Sequence, residues 1–303
     1  VPDAPTASPL FDSAFLAKLE QLYLLARKLF RGDQRAERRS QQIGSSLEFA
    51  DYRNYSTGDD LRNIDWNIYG RLDRLFIKLF EEEQDLHIYL LVDASASMLW
   101  TPRAGALTKF DQARRIAASL GYIGLANLDR INVLYFDATL GRDTGFMRGK
   151  SQFYKALDFL RAEPPTPRET NLAETCRVFA RRMKRRGLVF VLSDFFDPHG
   201  YDEALALLRH HQFDVHAVQI ADPAELDPVL SGDLRLEEIE TGERIEVTVD
   251  ATLATAYRKQ VRTFLDDLQR FCRKRQIGLA QATTETPFED LVLKVLREGR
   301  LLK

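Results

Sequence analysis

A chain of 303 residues, 45% hydrophobic and 29% charged, is long enough to close a full core as one large domain or two small ones. Its formal net charge of −2 argues against any global pull toward nucleic acid or an anionic membrane surface. Two cysteines, Cys176 and Cys272, give no disulfide framework and no thiolate cage, and no apolar run reaches the ~18 residues of a membrane span. The N-terminal stretch mixes acids and prolines among its apolar residues, unlike a secretory signal, so the sequence predicts a chain without a transmembrane segment in the reducing cytoplasm.

In chain order, Leu10, Phe11, Phe15, Leu16, Leu19, Leu22, Leu25 and Leu29 recur at helical spacing and predict a helical arm over 9–30 that stops at Arg31-Gly32. Residues 33–46 are polar and basic and read as a linker or surface loop, and 47–70 as an irregular segment rich in Phe49, Tyr52, Tyr55, Trp66 and Tyr69. A strand is expected at 75–80, an acidic turn at 81–85, and a strand buried on both faces at 86–92. The chain then alternates: helix 109–128, strand 131–136, helices 152–160 and 171–186, strand 188–192, helix 201–211, strand 215–220. A β-hairpin at about 233–249 interrupts this series, which closes with helix 252–275, strand 278–283 and helix 288–298. Strands alternating with helices predict an α/β fold with a mostly parallel central sheet covered on both faces. The expected organisation is an N-terminal helical and irregular arm over 1–74 and an α/β domain over 75–303.

In open α/β sheets ligands bind beyond the carboxyl ends of the strands, where polar residues following the most apolar strand have first claim. Asp93, Ser95 and Ser97 stand there, and their i, i+2, i+4 spacing on a turning loop can aim one carboxylate and two hydroxyls at one centre. Such all-oxygen donors suit a hard cation, Mg²⁺ with Mn²⁺ or Ca²⁺ as alternatives. Asp194, after the apolar strand 188–192, offers a second acid, and Thr170, at the mouth of helix 171–186, a further hydroxyl. An ion held mainly by neutral hydroxyls keeps charge and a free position for an incoming Asp or Glu of a protein partner. Since no His, Lys or Cys lies close in sequence to these loops, binding is preferred over catalysis. A metal-dependent phosphoester hydrolase and a purely structural domain, whose Asp and Ser only cap a turn, are the alternatives.

Two blocks carry a resemblance. One runs Arg53-Asn54-Tyr55, Gly58-Asp59-Asp60 and Ile64-Asp65-Trp66; the other is Asp93-Ala94-Ser95-Ala96-Ser97-Met98 after the acidic Glu81-Glu82-Glu83. Together they resemble the family catalogued as domain of unknown function 58, which is similar to von Willebrand factor A domains and often occurs beside MoxR-type AAA+ ATPases. The resemblance implies a von Willebrand A-like fold, and it places Asp93, Ser95, Ser97, Thr170 and Asp194 on the metal-ion-dependent adhesion site (MIDAS) of those domains. It also implies a part in ATPase-driven assembly or maturation of a client protein. Asp59, Asp60, Arg62 and Asp65 beside Trp66 in the first block read as a structural network tying the arm to the sheet, with a charged, aromatic-backed surface near the site as the alternative.

Three other signals are set aside. Residues 145–151, Gly-Phe-Met-Arg-Gly-Lys-Ser, have one residue too few between the glycines for a phosphate loop. The basic run 181–186 ends a helix, where cations meet the helix dipole, so no nucleic-acid surface is expected. His87 and His216 fall in strands and read as packed, and His199, His210 and His211 lack zinc spacing.

Overall fold

The computed structural model describes residues 10–37, 48–81, 86–102, 105–162, 170–229, 231–239 and 242–298. The expected linker beyond residue 37, most of the acidic turn and the proline-rich loop before Thr170 lie outside these residues. The chain divides into two units, one joining the N-terminal helix up to Phe30 with residues 86–302, the other spanning 31–85.

Helix α1 covers Ser13–Glu37, running through the expected stop at Arg31-Gly32. A single interior glycine costs a helix only about 1 kcal/mol, and Gln34, Arg35, Ala36 and Glu37 beyond it are good helix formers. Phe15, Leu19, Leu22 and Ala26, spaced by three or four residues, are all buried in the main core.

In the smaller unit, β1 (Glu48–Asn54), α2 (Trp66–Leu72) and β2 (Phe76–Glu81) follow in order, and β1 and β2 pair antiparallel. The segment read as irregular therefore contains a strand. A register shift between Phe49 and Asp51 breaks its period-two alternation, which is the signal a strand is recognised by. The tight block between the strands is held locally. Asp65 caps α2, accepting from the amides of Asn67 (2.9 Å) and Ile68 (3.3 Å), and takes the Tyr52 hydroxyl at 3.0 Å. Asp59 accepts from Arg53 (2.8 Å) and from the Ser56 amide (2.8 Å), and Asp60 accepts from the Arg62 amide at 3.0 Å. The carboxylates of this block thus serve turns and caps within the unit.

The larger unit continues with β3 (His87–Asp93), α3 (Ala96–Leu99), α4 (Lys109–Ala126), β4 (Arg130–Phe136), β5 (Leu140–Asp143), β6 (Met147–Arg148), α5 (Phe153–Arg161) and α6 (Leu172–Arg182). Then come β7 (Leu188–Ser193), α7 (Asp202–His210), β8 (Asp214–Ala221), α8 (Pro223–Leu226), β9 (Gly232–Glu237), β10 (Arg244–Val249), α9 (Ala251–Lys274), β11 (Gly278–Thr283) and α10 (Phe288–Glu298). Strands β11, β8, β7, β3 and β4 lie side by side in that order, all parallel, and β5 and β6 add antiparallel to β4. The expected hairpin forms as β9 and β10, a separate antiparallel pair. Among the described residues no helix is long and apolar enough to cross a membrane.

Both faces of the sheet are covered, and β3 shows why its sequence is a continuous apolar run. Ile88, Leu90 and Val92 face a core shared with α1, α4, α5 and α10, whereas Tyr89 and Leu91 face one shared with α6, α7 and α9. Residues 145–151, set aside as a phosphate loop, include β6 and the turn after it. The strand histidines pack as expected: His87 meets the Phe146 ring at 5.0 Å and His216 the Phe190 ring at 5.3 Å.

The α6–β7 connection passes so close to β3 that only glycine fits: a β-carbon on Gly187 would stand 2.1 Å from the His87 carbonyl oxygen. Gly187→Ala is expected to lower stability by about 1–3 kcal/mol, read as a fall in denaturation midpoint. Burial holds the pKa of His216 below the usual imidazole range, against the opposing pull of Asp214. The folded state therefore favours the neutral ring, and its stabilising share is complete above the unfolded value near ~6.5 and is lost as pH falls below it. Melting curves from pH 7.5 to 5.5 should show a smaller loss for His216→Phe than for the unsubstituted chain.

Candidate functional site

Strand β3 delivers Asp93 to the carboxyl end of the sheet, next to the end of β7, because the parallel register sets Val92 opposite Leu192. The Ala94 amide donates to the Phe136 carbonyl of β4 at 2.7 Å, which turns the chain out of the sheet into α3 with Ser95 at its N-cap. Asp93 has no exposed surface. One of its oxygens accepts the Ser95 amide at 3.0 Å and the other the Ser193 hydroxyl at 2.6 Å. The Ser95 and Ser97 hydroxyls stand 3.1 Å apart, with Ser95 buried and Ser97 half-buried. Burial, and then the negative charge of Asp194, push the Asp93 carboxyl up to about 7, while the bonds from Ser193 and Ser95 pull it back.

Beyond Ser193 the backbone doubles back. Phe195, buried, adopts a left-handed φ of 62°, a conformation costly for a bulky residue, and its amide donates to the Ser193 hydroxyl oxygen at 2.9 Å. The same turn lets one Asp194 oxygen accept the Phe196 amide at 3.0 Å. The other Asp194 oxygen accepts from the ammonium of Lys109, 2.7 Å away, and that ammonium also bonds to Glu225. Lys109 is wholly buried. Burial alone would lower its pKa, but the charges of Asp194 and Glu225 outweigh it and hold the group above its ordinary value, as an ammonium.

Thr170 is buried in the turn before α6. That turn is pinned to the same end of the sheet: the Asn171 amide donates to the Asp137 carbonyl after β4 (3.3 Å), and the Leu172 amide to Asp197 (2.6 Å). Asp93, Ser95 and Ser97 are thus gathered as the spacing anticipates, and Asp194 lies close enough to bear on the charge of Asp93.

Four participants escaped the sequence reading. Ser193 and Asp197 stand one residue before and three residues after Asp194, and the sequence reading gives neither a part. Glu225 lies in Asp222-Pro223-Ala224-Glu225, a capping box directly after β8, whose strand-end position was a usable signal. Lys109, which is not close in sequence to these loops, reaches them in space, 85 residues from Asp194. Its sequence signal was a cation in the first turn of a helix, the end where the dipole disfavours it.

The donors around Asp93 are oxygens only, which is the preference of a hard cation. Among the described residues no group of three or more His, Cys, Asp and Glu is placed to hold a metal, so an ion here would rest on hydroxyls for most of its protein ligands.

Residues 51–264 match the family described as Protein of unknown function DUF58, and the chain belongs to that family. Similar proteins include an uncharacterized protein of Mycobacterium tuberculosis, 24% identical over 265 residues, covering 86% of this chain and 82% of the relative. An uncharacterized protein of Mycobacterium avium is 31% identical over 147 residues, 46% of this chain and 86% of that one. Among solved structures, the chain is similar to the conserved hypothetical protein BatB from Bacteroides thetaiotaomicron at 12% identity, with 71% of this chain and 99% of that one covered and a TM-score of 0.43. An aerotolerance-related membrane protein from Bacteroides fragilis overlaps at 14% identity, 71% and 99% coverage and a TM-score of 0.45.

Removing the Ser193 hydroxyl strips a fully buried carboxyl of its shortest hydrogen bond. Ser193→Ala should cost about 1–3 kcal/mol of stability in chemical denaturation, more than a surface serine substitution would.

Proposed function

We propose that the chain is a metal-ion-dependent protein-binding module, von Willebrand A-like in fold, with Asp93, Ser95, Ser97, Thr170 and Asp194 forming a MIDAS-type site for Mg²⁺, or for Mn²⁺ or Ca²⁺. The observation that carries this reading is the meeting of Asp93, the Ser95 and Ser97 hydroxyls and the end of β7 at the carboxyl edge of the sheet. Bound there, the ion would supply a positive charge with an open position for a partner's Asp or Glu. The chain's own part is to aim the oxygens. The Ser193 bond fixes the rotation of Asp93, and the short helix α3 brings Ser97 back beside Ser95.

Binding is favoured over phosphoester hydrolysis by the state of the buried nitrogen group that contacts Asp194. Lys109 is tied up as an ammonium between two carboxylates and has no lone pair to take a proton from water. The family resemblance supports a MoxR-type AAA+ ATPase as the companion in assembly or maturation of a client.

Titration calorimetry with Mg²⁺ should give saturable binding that Asp93→Ala abolishes; equal heats from both proteins would remove the ion from the proposal. Capture of a co-expressed MoxR-type ATPase or its client should fail in EDTA. Capture that is indifferent to the chelator would leave a purely structural interaction domain.

A further inference from the structure

We infer that Lys109 is a tethered cation that competes with a divalent ion for Asp194 and thereby sets how tightly the site takes that ion. The inference rests on the reading of the Asp93 cluster as an ion site.

The position of Lys109 is costly twice over. Its side chain has no exposed surface, an ammonium loses its hydration there, and it sits at the first residue of α4, where the helix dipole repels a cation. Nothing in the capping of α4 asks for it, since Thr108 and Asp111 complete the capping box by themselves. What holds it is charge. Asp194 lies 2.7 Å away, Glu225 bonds it from α8, and the Phe196 ring centroid lies 5.6 Å from the nitrogen.

The consequence concerns Asp194. Both its oxygens are engaged, one by the Phe196 amide and the other by Lys109. For Asp194 to lend its charge to an ion beside Asp93, it must share or release the ammonium. Glu225 makes release affordable, because its second oxygen is fixed by the Asp222 amide at 2.8 Å and the first remains as a partner for Lys109. Three carboxyls and one ammonium thus form a balance in which an arriving divalent ion replaces Lys109 at Asp194 and leaves it on Glu225. A weakly filled site, loaded when a partner's acid adds its own charge, is the outcome of that balance.

The test is Mg²⁺ affinity by calorimetry in the full chain, comparing the unsubstituted protein with Lys109→Met, with Lys109→Met/Glu225→Gln, and with each of these carrying Asp93→Ala. The double variant removes one acid with the ammonium, so that it keeps the fold if the single variant does not. Lys109→Met, or the double variant, should bind Mg²⁺ at least about tenfold more tightly, and Asp93→Ala should abolish the gain. A merely structural lysine would give the opposite sign, since a disturbed site binds less. Affinity that is unchanged or weaker, yet still lost with Asp93→Ala, overturns the competition and leaves the ion site standing. No Asp93-dependent binding in any variant overturns the ion site and the competition with it.

Discussion

A carboxyl group with no exposed surface at the end of the central strand is the constraint around which this end of the molecule is arranged. Asp93 cannot be left there without partners, because a buried acid without hydrogen bonds loses several kcal/mol of hydration. Its partners come from two directions: the amide of its own loop at Ser95, and the hydroxyl of Ser193 on the adjoining strand. The second of these reaches across the sheet. It requires the β3–β7 register that sets Val92 opposite Leu192, and it draws in the strained turn at Phe195 and, through it, the orientation of Asp194.

The same economy of polar groups extends along the carboxyl edge of the sheet. Asp222, immediately after β8, caps α8 and accepts the Thr284 hydroxyl, which follows β11, at 3.2 Å. Glu225 on α8 then meets Lys109 on α4, and Lys109 meets Asp194 after β7. Strand ends that would each expose unsatisfied groups are joined into one network, which fixes the loops on a rigid base. In our reading, that rigidity is what allows neutral hydroxyls such as those of Ser95 and Ser97 to act as ligands at all.

The two blocks that carry the resemblance differ in character. The block from Arg53 to Trp66 is spent on caps and turns inside its own unit: Asp59 on Arg53 and Ser56, Asp65 on Tyr52 and the first turn of α2. The Asp93 block instead leaves Ser97 half-buried at a strand end with its hydroxyl beside that of Ser95. Of the two, it is the second on which our proposed ligand site rests.

Elements with strong periodicity are legible from the residues alone. The near-continuous apolar run at 86–92 and the apolar run at 188–192 announced buried strands, and the spacing of Phe15, Leu19 and Leu22 announced α1. The loop of Asp93, Ser95 and Ser97 was equally legible, since its members lie within five residues of one another and follow such a strand. A bulge hid β1, and the antiparallel β5 and β6 were too short to show a period. Apart from the amide of Ser95, the surroundings of Asp93 emerge only from the packed chain, because the Ser193 hydroxyl comes from 100 residues away and the ammonium that meets Asp194 from the first turn of α4. Local pattern records what a segment can form. Which buried charge meets which counter-charge is settled by the order of strands in the sheet, and that order is a property of the whole chain.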